Sequence, residues 1–380
     1  MVADRTRRAP HTHAQPQAAR AIANRPSQVV HPLSPILAPS LSRLAVVCPS
    51  WVGDTVMCTP MLRALRERLP AARITAICRR GLDELLRGLP CIDSIIACEM
   101  KGLFGPQRLG KAIKQTDAQA VLLLPNSFRA AMAARLAKTP IRIGYDRDGR
   151  GALLTHKLAP GKTDRPAPLL EYYAALARFA LGVERIDSRV QLATTAQEES
   201  AADALLPDVR APFAVVNPGA NRTDKRWPAE RFAAAADALA QKCGVSIVVS
   251  GAPSEMDLLG AVERAAKRPI VNLARRGVTL GSLKAVIRRA ALLITNDTGP
   301  RHIAAALGTP SVTLFGPTDH RWTTLEFAHE RILLAEPFLP EELTADKHAK
   351  SCAIEKIAVG DVVAAAGELL NLPRGAKPQA

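Results

Sequence analysis

From Leu44 onward, short apolar runs alternate with segments whose apolar residues recur at helical spacing, and the alternation is carried through the chain twice. A strand that is apolar on both faces must be covered on both sides, so this pattern leaves parallel sheets flanked by helices as the economical solution. The first series predicts strands at 44–48, 73–78, 94–98, 120–124 and 141–144. Between them it predicts helices at 54–69 and 128–137, with a further helical run at 167–181. Along 54–69, Cys58, Met61, Leu62, Leu65 and Leu69 fall on one face. The second series predicts strands at 213–217, 245–250, 270–273, 292–296 and 311–315, with helices at 228–242, 254–267, 279–290 and 299–307. A last helix at about 360–371 is expected to pack on either sheet.

A chain of 380 residues exceeds one ordinary core, and the two series suit two domains with a cleft between them. The polar, turn-prone region 186–210 is expected to carry few apolar contacts between halves, which places the boundary near residue 190. Residues 1–40 contain six prolines and no apolar period, so they read as a disordered extension. The expected organisation is therefore an extension over 1–40 and domains over 41–190 and 191–380. No stretch approaches the roughly 18 apolar residues of a membrane span. Seven cysteines without a C-x-x-C pair indicate neither a disulfide framework nor a zinc site, and a reducing cytoplasm is the expected compartment.

Charge divides the chain unequally. Residues 1–190 hold 29 Lys and Arg against 14 Asp and Glu, whereas residues 191–380 hold 22 against 21. The first half is therefore suited to a polyanion: nucleic acid, an anionic membrane surface or a phosphorylated substrate. With 14 aromatic residues in the whole chain, nucleic acid is disfavoured, because single-strand binding recruits aromatic platforms.

In a parallel sheet the loops that follow the strands open on one rim, where ligands bind. Two such loops carry phosphate-binding chemistry. Asn217-Pro-Gly-Ala-Asn-Arg-Thr-Asp-Lys-Arg-Trp-Pro228 joins free backbone N–H groups to the cations Lys225 and Arg226, although it also reads as an ordinary polar turn. Thr295-Asn-Asp-Thr-Gly-Pro-Arg-His302 ends a strand and opens a helix; Asp297 and Thr298 also suit helix caps, and His302 suits simple packing. In the first half, Ser50-Trp-Val-Gly-Asp54 fixes a carboxylate at a strand-to-helix turn, as an N-cap or as a general base. Leu124-Pro-Asn-Ser-Phe-Arg129 sets a cation beyond another strand end. Neither G-x-x-x-x-G-K-[ST] nor G-x-G-x-x-G occurs, which disfavours a P-loop NTPase and a nicotinamide oxidoreductase. Asp146-Arg-Asp148 has the D-x-D form but lies in a basic stretch, and no metal is assigned to it.

Taken together and in order, these motifs resemble the bacterial lipopolysaccharide heptosyltransferases of glycosyltransferase family 9, most nearly their type II branch. The matching residues are Ser50–Asp54 with Pro60, Leu124–Arg129, Pro218-Gly-Ala followed by Lys225-Arg-Trp-Pro228, Ser250-Gly-Ala252, and Thr295–His302 continued by Leu314-Phe-Gly-Pro-Thr318. The resemblance implies a GT-B architecture, two Rossmann-like domains with parallel sheets facing a cleft. It implies inverting, metal-independent transfer of heptose from ADP-L-glycero-D-manno-heptose to the inner core of lipopolysaccharide, with no cofactor. By the same resemblance the N-terminal domain holds the acceptor and the C-terminal domain the sugar nucleotide. Asp54 matches the catalytic base; Lys225 the diphosphate-binding lysine; Glu255 the ribose-binding acid; Ala220, Asn221, Asp297, Thr298, Gly299 and His302 the donor loops; Arg129 and Arg142 acceptor-side cations. A monomer in peripheral contact with the anionic cytoplasmic leaflet is the expected state. The competing readings are a related transferase with another donor or acceptor, and a catalytically silent module that holds an anionic glycan or nucleic acid.

Overall fold

In the computed structural model, which describes residues 35–161, 167–335, 339–340 and 343–371, the two predicted series become two six-stranded parallel sheets. The first contains β1 (Arg43–Val47), β2 (Arg73–Arg79), β3 (Ser94–Cys98), β4 (Ala120–Leu123), β5 (Ile141–Tyr145) and β6 (His156–Leu158). Its helices are α1 (Val52–Met57), α2 (Thr59–Arg68), α3 (Asp83–Leu86), α4 (Gly105–Gln115), α5 (Phe128–Leu136) and α6 (Leu169–Leu181). After α7 (Ala196–Leu205) the second sheet brings together β7 (Phe213–Asn217), β8 (Ser246–Val249), β9 (Ile270–Asn272), β10 (Leu292–Asn296), β11 (Ser311–Phe315) and β12 (Glu330–Leu334). The accompanying helices are α8 (Ala229–Cys243), α9 (Met256–Ala265), α10 (Leu280–Arg289), α11 (Gly299–Leu307) and α12 (Val359–Asn371).

Both sheets have the same order, β3-β2-β1-β4-β5-β6 in the first and β9-β8-β7-β10-β11-β12 in the second. In each, the chain runs outward from the first strand, returns, and continues on its other side. This creates a crevice at the carboxyl ends of β1 and β4, and another at those of β7 and β10, the switch points at which such sheets bind ligands.

Several expectations need correction. The helix predicted at 54–69 is two helices, because the break falls at Cys58, two residues before Pro60, whose ring opens the first turn of α2. Region 186–210 contains α7, begun by a capping box between Thr195 and Glu198. It is not a zone poor in contacts, since one apolar cluster runs from Leu44, Val46 and Leu62 through Leu176 and Leu205 to Leu283 and Ile303, spanning both halves. The proposed extension ends earlier than residue 40: Leu37 is buried, and the N–H groups of Ile36 and Leu37 donate to the Ala180 carbonyl at 3.1 and 3.0 Å. Residues 1–34 of that extension lie outside the described residues. The last helix packs on α8 and joins the apolar cluster of the second sheet through Val362, Ala366 and Leu369.

Polar contacts reinforce the junction of the halves. Lys284, on α10, is fully buried. Its Nζ pairs with Glu198 Oε2 at 3.0 Å and donates to the carbonyls of Glu84 and Arg87 at 2.9 and 3.1 Å. The Glu84 carboxylate accepts from the N–H of Gly281 at 2.6 Å. An ammonium in this position is tolerable because all three of its protons are engaged. Replacing Lys284 by Ala leaves Glu198 buried without its cation, and is expected to lower unfolding free energy by about 3–5 kcal/mol. A Lys284→Ala/Glu198→Gln pair is expected to regain part of that loss. Denaturant melts check this, and a Lys284→Ala curve coincident with wild type would show that the ion pair carries no such burden.

Candidate active site

The turn after β1 and the loops after β7, β8 and β10 converge on one cavity of about 510 Å³. Its N-terminal wall is Trp51, Val52, Gly53, Asp54 and Met57, and most of the remainder comes from the second sheet. Asp54, Ala220, Asn221, Lys225, Glu255, Asp297, Thr298, Gly299 and His302, singled out from the sequence, all line it.

Two glycines make the closure possible. A Cβ on Gly53 would stand 2.8 Å from His302 Cδ2, and one on Gly299 would stand 2.5 Å from Val52 Cγ1. Only hydrogen at both positions lets α1 and α11, from opposite halves, meet at this distance. A third glycine, Gly219, leaves the space occupied by the Glu255 carboxylate. That carboxylate accepts from the N–H of Ala252 at 2.8 Å, a bond within the loop after β8 that fixes its orientation beside Gly219.

The loop after β7 is braced from below. Asn217 Nδ2 donates to the Ser250 carbonyl at 2.7 Å, Asn296 Nδ2 donates to the Pro218 carbonyl at 2.8 Å, and Asn296 Oδ1 accepts from Trp227 N–H at 3.2 Å. Arg226, read from the sequence as a second phosphate-binding cation, turns away from the cavity instead. Its Nε and Nη2 donate to the Ala220 carbonyl at 2.9 and 2.7 Å, closing the loop on itself. Lys225 reaches inward and pairs with Asp297 Oδ2 at 3.0 Å. The other Asp297 oxygen accepts from Thr323 Oγ1 at 3.3 Å and lies 3.5 Å from Arg301 Nη1.

The two carboxylates are treated oppositely. Burial alone would raise the Asp297 carboxyl, but Lys225 and Arg301 outweigh it and hold the group below its ordinary range. Asp54 has no such cation, and burial pushes it up from 3.8 to about 6. It is not a cap: Trp51 occupies the N-cap of α1, with no side-chain bond, and Asp54 lies within the first turn. Likewise Thr298 occupies the N-cap of α11 without a side-chain cap bond. His302 is buried, and that burial, reinforced by Arg301, pushes its imidazole down to about 3, so it is neutral here.

The acceptor-side cations separate from this group. Arg129 lines a smaller neighbouring cavity of about 320 Å³ together with Ser50. Arg142 lies outside both. Its Nε donates to the Leu153 carbonyl at 2.8 Å and its Nη1 to the Thr139 carbonyl at 2.6 Å, so it ties β5 to the segments before and after it. The D-x-D acid Asp146 pairs with Lys157 at 2.9 Å. Sequence reasoning missed Thr323 and the apolar wall of Val278, Leu280 and Leu283. No motif marks these side chains; the capping-box spacing from Thr279 to Ser282 is the nearest signal.

Residues 107–350 match glycosyltransferase family 9 (heptosyltransferase). The chain belongs to that family. It is 29% identical to lipopolysaccharide heptosyltransferase 2 of Salmonella typhimurium, over 74% of this chain and 84% of that one. It is 26% identical to lipopolysaccharide heptosyltransferase 3 of Escherichia coli over 70% and 80% of the two chains. The solved structure of E. coli ADP-heptose lps heptosyltransferase II superposes with a TM-score of 0.73 at 26% identity, covering 86% of this chain and 98% of that one. The architecture is thus GT-B, and the protein is a glycosyltransferase.

The raised Asp54 carboxyl has a measurable cost. The folded protein holds this proton up to about pH 6, the unfolded chain only to about 3.8, so stability from this group is present below the unfolded value and is lost as pH rises through the folded one. Asp54→Asn avoids that loss. The variant is expected to gain stability over wild type by about 1–2 kcal/mol more at pH 7.5 than at pH 4, allowing for partial solvent access. Melting curves at the two pH values check it; a difference independent of pH, or of opposite sign, rules out burial of the charge as its origin.

Proposed function

We propose that the protein transfers heptose from ADP-L-glycero-D-manno-heptose to the inner core of lipopolysaccharide, with inversion, without a metal, and as a type II enzyme. The observation that carries this reading is a division of charge within one cavity. A carboxylate raised to about 6 projects from the first sheet, and an anion-binding group of Lys225, backbone N–H groups and the start of α11 lies on the second. The first suits removal of a proton from an acceptor hydroxyl, the second suits the negative charge that builds on a departing diphosphate.

On this reading the sugar nucleotide belongs to the second sheet and the acceptor to the first, with 41–190 and 191–380 as the two domains. Lys225 would exchange part of its interaction with Asp297 for the diphosphate, and Arg301 with Thr323 would keep Asp297 compensated. Glu255 has a fixed orientation suited to a ribose hydroxyl. The apolar wall of Val278, Leu280 and Leu283 suits the flat face of a base. The neutral His302 positions α11 against Gly53 and supplies no charge. Lys225 and the backbone donors provide the countercharge that a divalent ion would otherwise bring, which supports metal-independent transfer. Arg129, on the acceptor half beside Ser50, suits a phosphate or carboxylate of the acceptor. The stronger similarity to heptosyltransferase 2 than to heptosyltransferase 3 supports the type II reading.

Nucleotide release from ADP-heptose, compared with GDP- and UDP-sugars and with heptose-deficient lipopolysaccharide as acceptor, tests donor and acceptor together. Release of ADP that does not depend on acceptor, or preference for another nucleotide, would overturn the assignment. Asp54→Asn preserves shape but cannot take up the proton, so kcat is expected to fall by about 10²–10⁴ while ADP affinity holds. Near-normal turnover in the folded variant would remove Asp54 as the base. Lys225→Ala is expected to weaken ADP by about 1.5–3 kcal/mol, the worth of a charge-assisted hydrogen bond. Calorimetry reads this directly, and unchanged affinity would move the diphosphate elsewhere.

A further inference from the structure

Three exposed large apolar side chains of the first half stand where α4 and α5 begin. Leu103 is 81% exposed, Phe104 61% and Phe128 45%. They are not the tips of a slack loop. Arg108 donates to the carbonyls of Glu99 and Lys101 at 2.9 and 2.6 Å, and Arg129 donates to the Gly102 carbonyl, so the turn before α4 is pinned from two helices. The helices themselves lie close, since a Cβ on Gly110 would be 3.2 Å from the Ala133 carbonyl oxygen.

The same two helices and the turn before them are rich in cations. Over residues 101–140 the chain carries seven Lys and Arg and a single acid, Asp117, which pairs with Arg43 at 3.1 Å. Lys101, Arg108, Lys111, Lys114, Arg129, Arg135 and Lys138 are all solvent-exposed or nearly so. None of them forms an ion pair among the described residues. Fixed apolar side chains on helices that also carry exposed cations without ion-pair partners are the composition that binds an anionic bilayer, the apolar groups entering the interface and the cations facing headgroup phosphates.

We propose that the α4–α5 face seats the protein on an anionic lipid surface, with Leu103, Phe104 and Phe128 as the inserted wedge. The inference deepens the functional reading, since it rests on an acceptor that is itself lipid-borne. Location supports it. The cavity lined by Lys101, Gly102, Ser127 and Arg129 also takes in Ser50, the neighbour of Trp51 in the wall of the larger cavity. An acceptor headgroup leaving the membrane at the wedge therefore has a short basic route toward Asp54. A nucleic acid would engage the same cations but would gain little from Leu103, the most exposed of the three, which has no ring for a base to stack on.

The test uses the full chain and co-sedimentation with vesicles, either of phosphatidylcholine alone or of equal parts phosphatidylcholine and phosphatidylglycerol. Wild type is expected to bind the anionic vesicles, less at high salt, and to leave neutral ones in the supernatant. Leu103→Ser/Phe104→Ser is expected to weaken that binding by about tenfold or more, and Lys111→Glu/Lys114→Glu to weaken it and flatten its salt dependence. Failure of wild type to bind anionic vesicles, or wild-type binding by both variants, overturns the proposal. So does tighter binding to a single-stranded oligonucleotide than to the vesicles. In turnover assays, the apolar variant is expected to act normally on a water-soluble core oligosaccharide stripped of its lipid and to lose about tenfold on acceptor embedded in vesicles. Equal losses on both acceptors would show that the wedge acts on the fold rather than at a membrane. Vesicle binding is read without turnover, so a failure of the transferase reading leaves it independently measurable.

Discussion

The close approach of α1 and α11 is the constraint on which the rest of the structure depends. Each helix begins at the switch point of its own sheet, and each comes within contact of the other only because position 53 and position 299 lack a Cβ. A methyl group at either would push the halves apart by more than a packed interface absorbs. With the helices in contact, the carboxyl edges of two sheets share one cavity, and a carboxylate from one half lines it together with Lys225 and the start of α11 from the other. The apolar cluster that crosses the halves and the buried Lys284–Glu198 pair hold this arrangement from behind.

Electrostatics in the cavity follow from the same geometry. Asp54 and Asp297 have the same side chain, and burial disfavours ionisation of both. The difference is the neighbourhood. Asp297 sits among Lys225, Arg301 and a threonine hydroxyl, so its charge is compensated. Asp54 shares the N-terminal wall with Trp51, Val52 and Met57, none of which supports a charge. One carboxylate is thereby a fixed structural anion and the other a group able to exchange a proton near neutral pH, a separation characteristic of sites that carry out acid–base chemistry. Burial also disposes of the histidine: held near 3, His302 contributes shape and not charge.

The surplus of positive charge has a structural location as well as a sequence location. Part of it serves the fold, as in Arg150, which is fully buried with its guanidinium on the carbonyls of Tyr145 and Pro125 and on Asn126, and in Arg142, whose guanidinium donates to the carbonyls of Leu153 and Thr139. Another part lies without ion pairs on α4 and α5 and the turn before α4, and two of its members, Lys101 and Arg129, line the cavity beside Ser50. Net charge alone does not separate these populations, because a guanidinium that satisfies backbone carbonyls and one that faces solvent are the same letter.

What the sequence by itself determined is the order of elements and the identity of the loops at the strand ends. β7, β10, β11 and α11 coincide with the predicted 213–217, 292–296, 311–315 and 299–307, because short apolar runs bounded by Pro, Gly and Asn admit one reading. The switch-point motifs were equally legible, since a carboxylate, a lysine and glycines at strand ends imply a rim whatever the packing. Elements with a weak local signal were not. α4 was missed because Gly105, Pro106 and Gly110 interrupt its helical pattern, α7 because its buried face includes Glu198, and β6 and β12 because neither is fully buried. Only the tertiary structure decided which side chains share the cavity and which cations are spent on the fold. It sent Arg226 to Ala220 and Arg142 to Leu153, brought Thr323 to Asp297, and placed Lys284 beside a glutamate 86 residues earlier in the chain. The physical reason is that periodicity reports which face of an element is apolar, whereas the partner of a long polar side chain is set by what the folded chain brings within about 3 Å of it.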